Sequence, residues 1–423
     1  MQPDPLDYLN SLEFHGIKLG LDNINQLLKA AGNPQHAIPT VHVGGTNGKG
    51  SVIAFLDSIF RQAGYKTGRF TSPHLIHLNE RFLVSGSPIP MTELKKYIAQ
   101  YRDIAENLSI TPTFFELNTA IAFQYFADQH VDIAFIEVGM GGRFDSTNVI
   151  TPLTTVITNI GLDHTAYLGD TLEKIAFEKA GIIKPRVPLI LGEQSPGPQR
   201  VILDIADSLH APVRMLHREF DYQWEKNLFT YTSTLPHIND ITLGLHGQYQ
   251  ASNAAIALAT MESLLPTFPR IDTQAIRRGL TETQWPCRFE TVHENPTIII
   301  DVAHNAEAAH ALEQALTSPA IFFIAIAKDK DANDILDALA PKAQSFILTQ
   351  FDGHRAMPAE DLATACANDI PSTIHPNFTT ALETGIQQAR DTCIPLVIAG
   401  SLFTAGQARQ YLMEKAMAPP LPF

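Results

Sequence analysis

A short segment at residues 41–51, VHVGGTNGKGS, contains glycines, a lysine and a serine between an apolar run and a helical pattern. Glycines let the backbone approach an oxyanion, the N–H groups at a helix start point at it, and Lys49 can reach the outer phosphates of a nucleotide. The common phosphate loop is G-x-x-x-x-G-K-[ST], whereas here Val43 stands at the first glycine position and Gly50 separates Lys49 from Ser51. A tight strand-to-helix turn without a ligand is the alternative, but the residue types and their context favour a phosphate site.

Other apolar runs end in side chains that can ligate a metal ion. Glu137 ends one such run, where its burial would be costly without a compensating cation. Asp163 and His164 follow another run, and Ser72 lies in the segment FTSPH. Because ligands of parallel sheets bind beyond the carboxyl ends of the strands, we expect these residues to surround the phosphate loop, with magnesium as the cation. Taken singly, Glu137 could cap a loop and His164 could be a hydrogen-bonded loop histidine.

Short apolar runs alternate with helical periodicity along most of the chain, which predicts parallel strands joined by crossover helices. The first series of predicted strands is 38–45, 131–139, 153–160 and 187–192, and its helices are 49–63, 91–106, 114–129 and 171–183. Residues 220–245 predict antiparallel strands, and a helix follows at 250–265. A second series of strands is predicted at 297–304, 320–327, 345–351 and 395–401.

These patterns predict an α/β protein of two domains. We expect an N-terminal P-loop ATPase-like domain at 1–285, with a mainly parallel sheet and a small antiparallel sheet. A C-terminal Rossmann-like α/β domain should occupy 286–423, after a linker at 283–290. A chain of 423 residues is also too long for one typical core.

Composition excludes several classes of protein. The net charge of −14 argues against broad nucleic-acid binding, because such binding usually needs a basic surface. The three cysteines lie far apart without metal-ligand spacing, which fits a reducing compartment. The N-terminus shows no signal-peptide pattern, and no segment approaches the ~20 apolar residues of a spanning helix. We therefore expect a cytoplasmic enzyme with no membrane and no nucleic-acid partner.

An ordered set of motifs resembles the folylpolyglutamate synthase/dihydrofolate synthase family of the Mur ligase superfamily. The resemblance spans nearly the whole chain and rests on LGLDNINQLLKAAGNP (19–34), GTNGKGS, TSPHL, NERF, FFELNTAIAF, EVGMGGRFDSTN, LDHTAYLG, EKAGIIK, GQYQASNAAIAL, CRFE, DVAHN and AGSLFTAG. It implies an ATP-dependent ligase that joins L-glutamate to a carboxylate activated as an acyl phosphate. The implied carboxylate substrates are dihydropteroate and, for later glutamates, reduced folates. Two Mg²⁺ sites are implied, a monovalent cation is a further candidate cofactor, and we expect a monomer.

The resemblance also implies roles for individual residues. The implied ATP-binding residues are Asn47, Gly48, Lys49, Gly50, Ser51, Asn253, Arg288 and Asp301. The implied metal ligands are Ser51, Ser72, Glu137 and His164. The implied pteroate or folate set is Gly20, Leu21, Thr113, Phe114, Phe115, Glu116, Phe144, Asp145 and Ser146. Arg81, His304 and Asn305 are additional candidates for the site. The implied catalytic set is Lys49, Glu137, His164 and Lys179, the last matching a lysine that is carbamylated in many members.

This chain departs from the family pattern at two places. The usual DGAHN is DVAHN at residues 301–305, and Cys287 stands where a glycine often precedes the arginine. Neither change removes a charged or liganding side chain. Because Arg288 and Asp301 lie at or beyond the linker, the resemblance places ATP in a cleft between the domains, where closure would exclude water.

Three other functions are alternatives. A muramyl amino-acid ligase would carry a substantial domain before the loop, but only 43 residues precede Gly44. A non-catalytic ATP-binding regulatory protein would not need Glu137, His164 and Arg288 together with Lys49. Within the family, an enzyme with only folylpolyglutamate synthase activity remains an alternative to a bifunctional one.

Overall fold

The computed structural model of the protein describes residues 4–15, 20–233, 238–366 and 370–422. The chain divides into two compact units. The first unit comprises Met1–Gly244 and Ala251–Thr283, and the second comprises Leu245–Gln250 and Gln284–Pro422. The predicted functional domains at 1–285 and 286–423 stay a prediction. Among the described residues, no helix is long and apolar enough to cross a membrane.

A mainly parallel sheet forms the centre of the first unit. Its strands are β1 (Thr40–Gly44), β2 (Thr67–Phe70), β3 (Phe82–Val84), β4 (Ser87–Pro88), β5 (Ile133–Glu137), β6 (Thr154–Ile157), β7 (Leu189–Leu191) and β8 (Val213–Met215). Their order across the sheet is β4-β3-β2-β5-β1-β6-β7-β8. Strands β2, β5, β1, β6, β7 and β8 run parallel, while β3 and β4 are antiparallel to their neighbours.

Helices cover both faces of this sheet. The helices of the first unit are α1 (Pro5–Ser11), α2 (Asp22–Ala30), α3 (Lys49–Gln62), α4 (Met91–Leu108), α5 (Phe114–Asp128), α6 (Thr165–Leu168), α7 (Leu172–Ala180), α8 (Pro196–Ser208), α9 (Tyr249–Leu264) and α10 (Thr273–Glu282). On β5, Phe135 packs edge-on against Phe60 of α3 with ring centroids 5.3 Å apart. The next residue, Ile136, joins the core cluster that contains Phe123 of α5. Alternate residues of β5 therefore meet helices on opposite faces, which explains why this strand is apolar up to Glu137.

A small antiparallel sheet completes the first unit. It consists of β9 (Asp221–Glu225), β10 (Leu228–Thr232) and β11 (Ile238–Ile241), in the order β11-β10-β9. In β10, the side chains of Phe229 and Tyr231 are buried, while those of Leu228 and Thr232 are exposed. This alternation is typical of a strand with one solvated face.

The second unit contains another sheet with helices around it. Its strands are β12 (Glu290–Glu294), β13 (Thr297–Ile300), β14 (Ala320–Ile324), β15 (Ala343–Leu348), β16 (Ser372–Ile374) and β17 (Leu396–Ala399), in the order β12-β13-β17-β14-β15-β16. Its helices are α11 (Ala306–Ala315), α12 (Ala332–Leu339), α13 (Ala359–Thr364), α14 (Phe378–Thr392) and α15 (Leu402–Glu414). Only β12 is antiparallel to its neighbour among these described strands.

The predicted fold class is confirmed, with differences at the strand ends and at the sheet edges. The strand predicted at 153–160 ends at Ile157, and residues 158–164 form a loop. Sequence analysis did not predict β2, β3, β4, β8, β12 or β16. The edge strand β16 is exposed along its length and β4 has two residues, so neither gives a clear hydrophobic pattern.

Candidate active site

Four loops with predicted site residues leave the same edge of the first sheet. Strands β2, β5, β1 and β6 are adjacent and parallel, so their carboxyl ends lie side by side. Ser72 follows β2, Glu137 ends β5, and the phosphate-loop segment 45–48 joins β1 to α3. His164 lies in the loop after β6, immediately before α6. The structure thus brings the predicted phosphate loop and metal ligands to one sheet edge, where parallel sheets bind ligands.

Two glycines give the phosphate loop its backbone path. Gly45 has φ 138° and Gly48 has φ 84°, a region that side chains disfavour. A Cβ built on Gly45 would lie 1.8 Å from Oγ1 of Thr158, and one on Gly48 would lie 2.4 Å from Oδ1 of Asn253. Neither position has room for a side chain, so the glycines are required by both conformation and close packing.

The loop after β6 braces the phosphate loop with neutral hydrogen bonds. The Asn47 amide donates to Oδ1 of Asn159 at 2.8 Å, and Oγ1 of Thr158 donates to the Asn47 carbonyl at 2.6 Å. Oγ1 of Thr46 accepts from the Gly161 amide at 2.9 Å. Sequence analysis missed these supporting residues. The polar run that follows β6 (TNIG) is the available signal, but it falls within the strand predicted at 153–160.

Two lysines donate to one carbonyl of the loop. Nζ of Lys49 lies 3.1 Å from the Gly45 oxygen and 3.0 Å from the Thr46 oxygen. Nζ of Lys179, on α7, lies 2.8 Å from the same Gly45 oxygen. Burial, and then the neighbouring charge of Lys49, lower the pKa of Lys179 to about 7 against the opposing effect of Asp163 and Asp145. A substantial fraction of Lys179 is therefore a neutral amine at neutral pH.

Glu137 is a buried carboxylate whose charge is opposed by arginines. It is 6% exposed, and its Oε2 accepts from the Ser72 amide at 3.0 Å. It also interacts electrostatically with the buried arginines Arg69 and Arg81, and tends to raise the pKa of each. Sequence analysis named magnesium as the cation that compensates Glu137, and it missed Arg69.

Arg81 is held by aromatic and histidine neighbours. Its Nε donates to Nδ1 of His74 at 3.0 Å, and its guanidinium carbon lies 5.2 Å from the centre of the Phe114 ring. Burial lowers the pKa of Arg81 to about 10, so the side chain stays protonated at neutral pH. Burial and then Arg81 lower the pKa of His74 to about 3, which leaves His74 a neutral acceptor.

Six of the residues predicted for pteroate lie at the starts of two helices, and the other three lie in the loop after β5. Gly20 and Leu21 precede α2. Thr113 and Glu116 form a reciprocal cap at the start of α5: the Thr113 amide donates to Oε2 of Glu116 at 2.7 Å, and the Glu116 amide donates to Oγ1 of Thr113 at 3.2 Å. Their side chains thus already have a structural role, and contacts with a ligand stay a prediction.

Aromatic rings stand beside the loop that follows β5. A Cβ built on Gly139 would lie 2.4 Å from Cζ of Phe115, so this ring packs directly on the loop backbone. The Phe115 ring centre is also 5.9 Å from that of Phe70, at the end of β2. Phe144 is 46% exposed, so its ring is accessible to a ligand.

Asp145 and Ser146 are buried within the same loop. Asp145 accepts from the Met140 amide at 2.8 Å and from the Thr147 amide at 3.0 Å, and Oγ1 of Thr147 also donates to it. Burial raises the pKa of Asp145, and these hydrogen bonds oppose the shift. The carboxylate shapes the loop, and its predicted contact with a pterin stays a prediction.

The oxygen donors predicted as metal ligands are of the kind that holds magnesium. Magnesium is held by one or two carboxylates with substrate phosphates and water, and Glu137 with the hydroxyls of Ser51 and Ser72 matches that chemistry. His164 is 39% exposed, with Nε2 3.8 Å from Oδ2 of Asp163. Its nitrogen suits magnesium less well. In the described ranges, no group of three or more His, Cys, Asp or Glu side chains is placed to hold a metal.

The second unit holds the remaining predicted residues. Asp301 accepts from the amides of Phe289 and Ala303, each at 2.7 Å. It also accepts a hydrogen bond from Tyr249, a residue that sequence analysis missed. Burial raises the pKa of Asp301, and Arg288 most strongly opposes this shift. These contacts make Asp301 the anchor of the segment that carries Arg288.

His304 and Asn305 follow Asp301 on the loop after β13. Nδ1 of His304 lies 3.0 Å from the Val302 carbonyl oxygen. Oδ1 of Asn305 accepts from the Ala308 amide at 2.8 Å and caps the start of α11. This contact gives Asn305 a structural role, and ligand contacts of both residues stay a prediction.

Comparison with models of known families identifies the family to which this chain belongs. The model of the Mur ligase middle domain matches residues 43–261, and that of the Mur ligase glutamate ligase domain matches residues 287–402. The chain belongs to the Mur ligase family. The family predicted from the sequence motifs is therefore confirmed, and with it an ATP-dependent ligase.

Several similar ligases carry folate-related names. The dihydrofolate synthase/folylpolyglutamate synthase of Bacillus subtilis is 40% identical over 367 residues, covering 83% of this chain and 85% of that protein. The enzyme of that name from Mycobacterium tuberculosis is 34% identical and covers 92% of this chain and 89% of its own length. Relatives at these identities and lengths place the ligase in the dihydrofolate synthase/folylpolyglutamate synthase group.

Solved structures match the ligase along nearly its whole length. Escherichia coli FolC in complex with DHPP and ADP has a TM-score of 0.89 at 29% identity, covering 98% of this chain and 99% of that one. The bifunctional folylpolyglutamate synthase/dihydrofolate synthase of Yersinia pestis, complexed with AMPPNP and a Mn ion, has a TM-score of 0.88 at 29% identity, covering 98% and 100%. These proteins bind adenine nucleotides, and the second also binds a divalent metal.

Proposed function

We propose that this protein joins L-glutamate to 7,8-dihydropteroate in an ATP-dependent reaction and adds further glutamates to reduced folates. The observation that carries this proposal is the edge of the first sheet, where a glycine-shaped phosphate loop, two lysines and a buried glutamate meet. The names of the similar ligases supply the acceptor and the amino acid.

The first chemical step transfers the γ-phosphoryl group of ATP to the acceptor carboxylate. A carboxylate oxygen attacks the γ-phosphorus, the bond to the β-phosphate oxygen breaks, and an acyl phosphate and ADP result. The chain's contribution is positioning and charge: the amides at the start of α3 and the Lys49 ammonium hold the phosphates. Nζ of Lys49 donates to two backbone carbonyls of the phosphate loop. We expect it to exchange these carbonyls for phosphate oxygens when ATP binds.

The second step forms the amide. The neutral amine of glutamate attacks the acyl carbon, and the tetrahedral intermediate collapses with loss of phosphate and a proton. No nucleophilic side chain is required, in keeping with a site that is rich in cations rather than in serine or cysteine nucleophiles. Magnesium, when bound by Glu137, Ser51 and Ser72, would neutralise charge on the phosphate oxygens.

Lys179 is proposed to be carbamylated. Carbamate formation needs the neutral amine, and a pKa of about 7 supplies it at neutral pH. The Lys179 ammonium first loses a proton, and the neutral amine then adds carbon dioxide with loss of a second proton, so one of the two cations on the Gly45 carbonyl becomes an anion. This change would remove the repulsion between Lys49 and Lys179 and add an oxygen ligand beside the phosphates.

Activity with both acceptors has one alternative, which is activity with reduced folates alone. The Lacticaseibacillus casei protein, 34% identical over 92% of this chain, is named folylpolyglutamate synthase alone. An enzyme with that single activity is thus the second candidate. A monomeric state, a cytoplasmic location, a second magnesium ion, a monovalent cation and ATP binding in a cleft between domains also stay predictions.

An assay of ADP release tests both candidates. The purified protein is given ATP, magnesium and L-glutamate with either dihydropteroate or tetrahydrofolate, and each component is omitted in turn. We expect ADP release to need glutamate and to occur with both acceptors, whereas the alternative predicts no release with dihydropteroate. Lys49→Ala should lower kcat on the order of 100- to 1,000-fold with either acceptor.

The matched control is Lys96→Ala, which removes an exposed lysine from α4 of the same unit. This variant should keep the activity of the unaltered protein. Full turnover by Lys49→Ala would reject the assigned phosphate loop, and ADP release that ignores both acceptor and glutamate would reject the ligase function.

A further inference from the structure

The turn that carries Arg288 has a strained backbone. Cys287 has φ 58° and Phe289 has φ 48°, so residues with side chains on both sides of Arg288 are left-handed. Side chains disfavour this conformation, whereas glycine adopts it freely. Because Cys287 and Phe289 both carry side chains, this chain needs other contacts to hold the turn.

Two carboxylates hold the amides of this turn. The Cys287 amide donates to Oε2 of Glu290 at 2.9 Å, and the Phe289 amide donates to Oδ2 of Asp301 at 2.7 Å. The Val302 amide also donates to the Cys287 carbonyl at 3.0 Å. Each strained residue thus has its N–H fixed by an acidic side chain.

Behind Glu290 stands a buried arginine. Arg409, on α15, is completely buried, and its Nη2 lies 3.1 Å from Oε1 of Glu290, the oxygen that does not accept from Cys287. All three of its guanidinium nitrogens are buried without a hydrogen-bond partner in the part of the chain that the structure describes, so its contact with Glu290 is an ion pair and not a hydrogen bond. Glu290 thus connects Arg409 to the turn through its two oxygens.

We propose that Arg409 is a positioning residue for Arg288, acting through Glu290 to keep the 287–289 turn left-handed. The proposal rests on the proposed function and on the sequence-based prediction that Arg288 contacts ATP. Nε of Arg288 is itself buried without a hydrogen-bond partner among the described residues. A donor in that state fits a group whose partner arrives with a ligand.

Stability alone does not account for this ion pair. Removing a guanidinium from water is costly, and buried pairs are often replaced by apolar side chains without loss of stability. Here the cost is greater because none of the three guanidinium nitrogens of Arg409 has a hydrogen-bond partner among the described residues. A role in fixing the geometry of a neighbouring functional group explains why the charge is placed beside this turn.

Kinetics of three variants test the proposal. Arg409→Met removes the charge at similar length, Glu290→Gln keeps an acceptor for the Cys287 amide, and Arg409→Lys keeps a cation. We expect Arg409→Met to lower kcat/KM for ATP on the order of 10- to 100-fold, with KM for the pteroate acceptor unchanged. Arg409→Lys should recover part of the loss, and Glu290→Gln should have an intermediate effect. The matched control is Arg390→Met, which removes an exposed arginine of α14.

Two double variants separate positioning from packing. Adding Arg409→Met to Arg288→Ala should cause no further loss, because the group being positioned is already absent. Adding Cys287→Gly to Arg409→Met should restore activity, since glycine adopts the left-handed turn without help. If Arg409 only fills space, removal of the Cys287 side chain would enlarge the defect instead. Additive losses, or no rescue by glycine, would overturn the proposal.

Amide hydrogen exchange gives a readout that does not depend on activity. In Arg409→Met, exchange in peptides covering 285–292 should be at least tenfold faster, while peptides of β14 keep their protection. Unchanged exchange in 285–292 would overturn the proposal even if activity falls. A failure of the proposed function would give a different result. Arg288→Ala would then leave KM for ATP unchanged, while Arg409→Met would still increase exchange in 285–292.

Discussion

The phosphate loop and the Arg288 turn both contain left-handed backbone, but they obtain it differently. In the loop, the residues are Gly45 and Gly48, which adopt this conformation without strain. In the turn, they are Cys287 and Phe289, whose side chains oppose it. The loop is braced by neutral hydroxyl and amide groups, whereas the turn is held by two carboxylates.

The two regions also differ in the charges they bring together. Lys49 and Lys179 donate to one carbonyl, so like charges are close in the absence of a ligand. Glu290 and Arg409 are opposite charges that neutralise each other within the protein. The first arrangement is suited to an arriving anion, and the second to a fixed geometry. We infer that glycine suffices where a ligand supplies the missing interactions, while a strained turn needs a permanent ion pair.

The largest effect is expected for Gly48→Ala. A Cβ at this position would lie 2.4 Å from Oδ1 of Asn253, so either the Asn253 side chain or the loop must move. We expect kcat/KM for ATP to fall about 100-fold or more, because displacement of about 1 Å can cost that much. The free energy of unfolding should fall as well, measured by urea titration.

Gly32→Ala is the matched control for this change. Gly32 has φ 87°, close to that of Gly48, but nothing lies within 4 Å of a Cβ built there. Its substitution should cost only the left-handed strain of about 1–2 kcal/mol and leave turnover intact. Equal effects of the two substitutions would show that strain alone matters and that close packing against Asn253 does not.

A smaller effect is expected for Thr158→Val, which tests the neutral hydrogen bonds between the loop after β6 and the phosphate loop. This change removes the hydroxyl that donates to the Asn47 carbonyl at 2.6 Å but keeps the size of the side chain. Loss of the hydrogen bond should lower the free energy of unfolding by about 1 kcal/mol or more and kcat/KM for ATP about tenfold.

Thr155→Val, on β6 just before this loop, gives the control. Oγ1 of Thr155 is buried without a hydrogen-bond partner in the described residues, so its removal should be neutral or stabilising. Changes of opposite sign in the free energy of unfolding for Thr158→Val and Thr155→Val would show that the Thr158 hydrogen bond supports the phosphate loop. Equal stability changes would contradict it.

Features built from residues that are close in sequence could be predicted, whereas contacts between residues distant in sequence could not. The central strands β1, β5 and β14 are buried along their whole length, so each gives a largely apolar run that is visible in the sequence. The phosphate loop could be predicted because its glycines and lysine lie within a few residues. By contrast, Thr158 meets Asn47 across 111 residues of sequence. No spacing rule connects such partners, nor Glu290 to Arg409, and only the folded sheet brings them together.

The smallest expected effect concerns the pH dependence of Lys179. Its pKa is about 7 in the folded protein, against an ordinary value of 10.5, so the folded state binds fewer protons between these pH values. Stability due to this group should therefore rise as the pH increases from about 7, by at most about 1 kcal/mol per pH unit. Urea unfolding of the unaltered protein and Lys179→Met at pH 6, 7 and 8 measures the difference, in which other titrating groups largely cancel.

Bicarbonate distinguishes a neutral amine from a carbamate. If Lys179 is carbamylated, bicarbonate should add the mass of one carbon dioxide to the native protein, more at pH 8 than at pH 6, and increase turnover. The adduct should be absent from Lys179→Met. A stability difference that is the same at all three pH values would mean that Lys179 stays protonated, so that the Gly45 carbonyl alone accommodates two cations. Lys49 and Lys179 would then both be positively charged before any anion binds, whereas the charges of Glu290 and Arg409 neutralise each other.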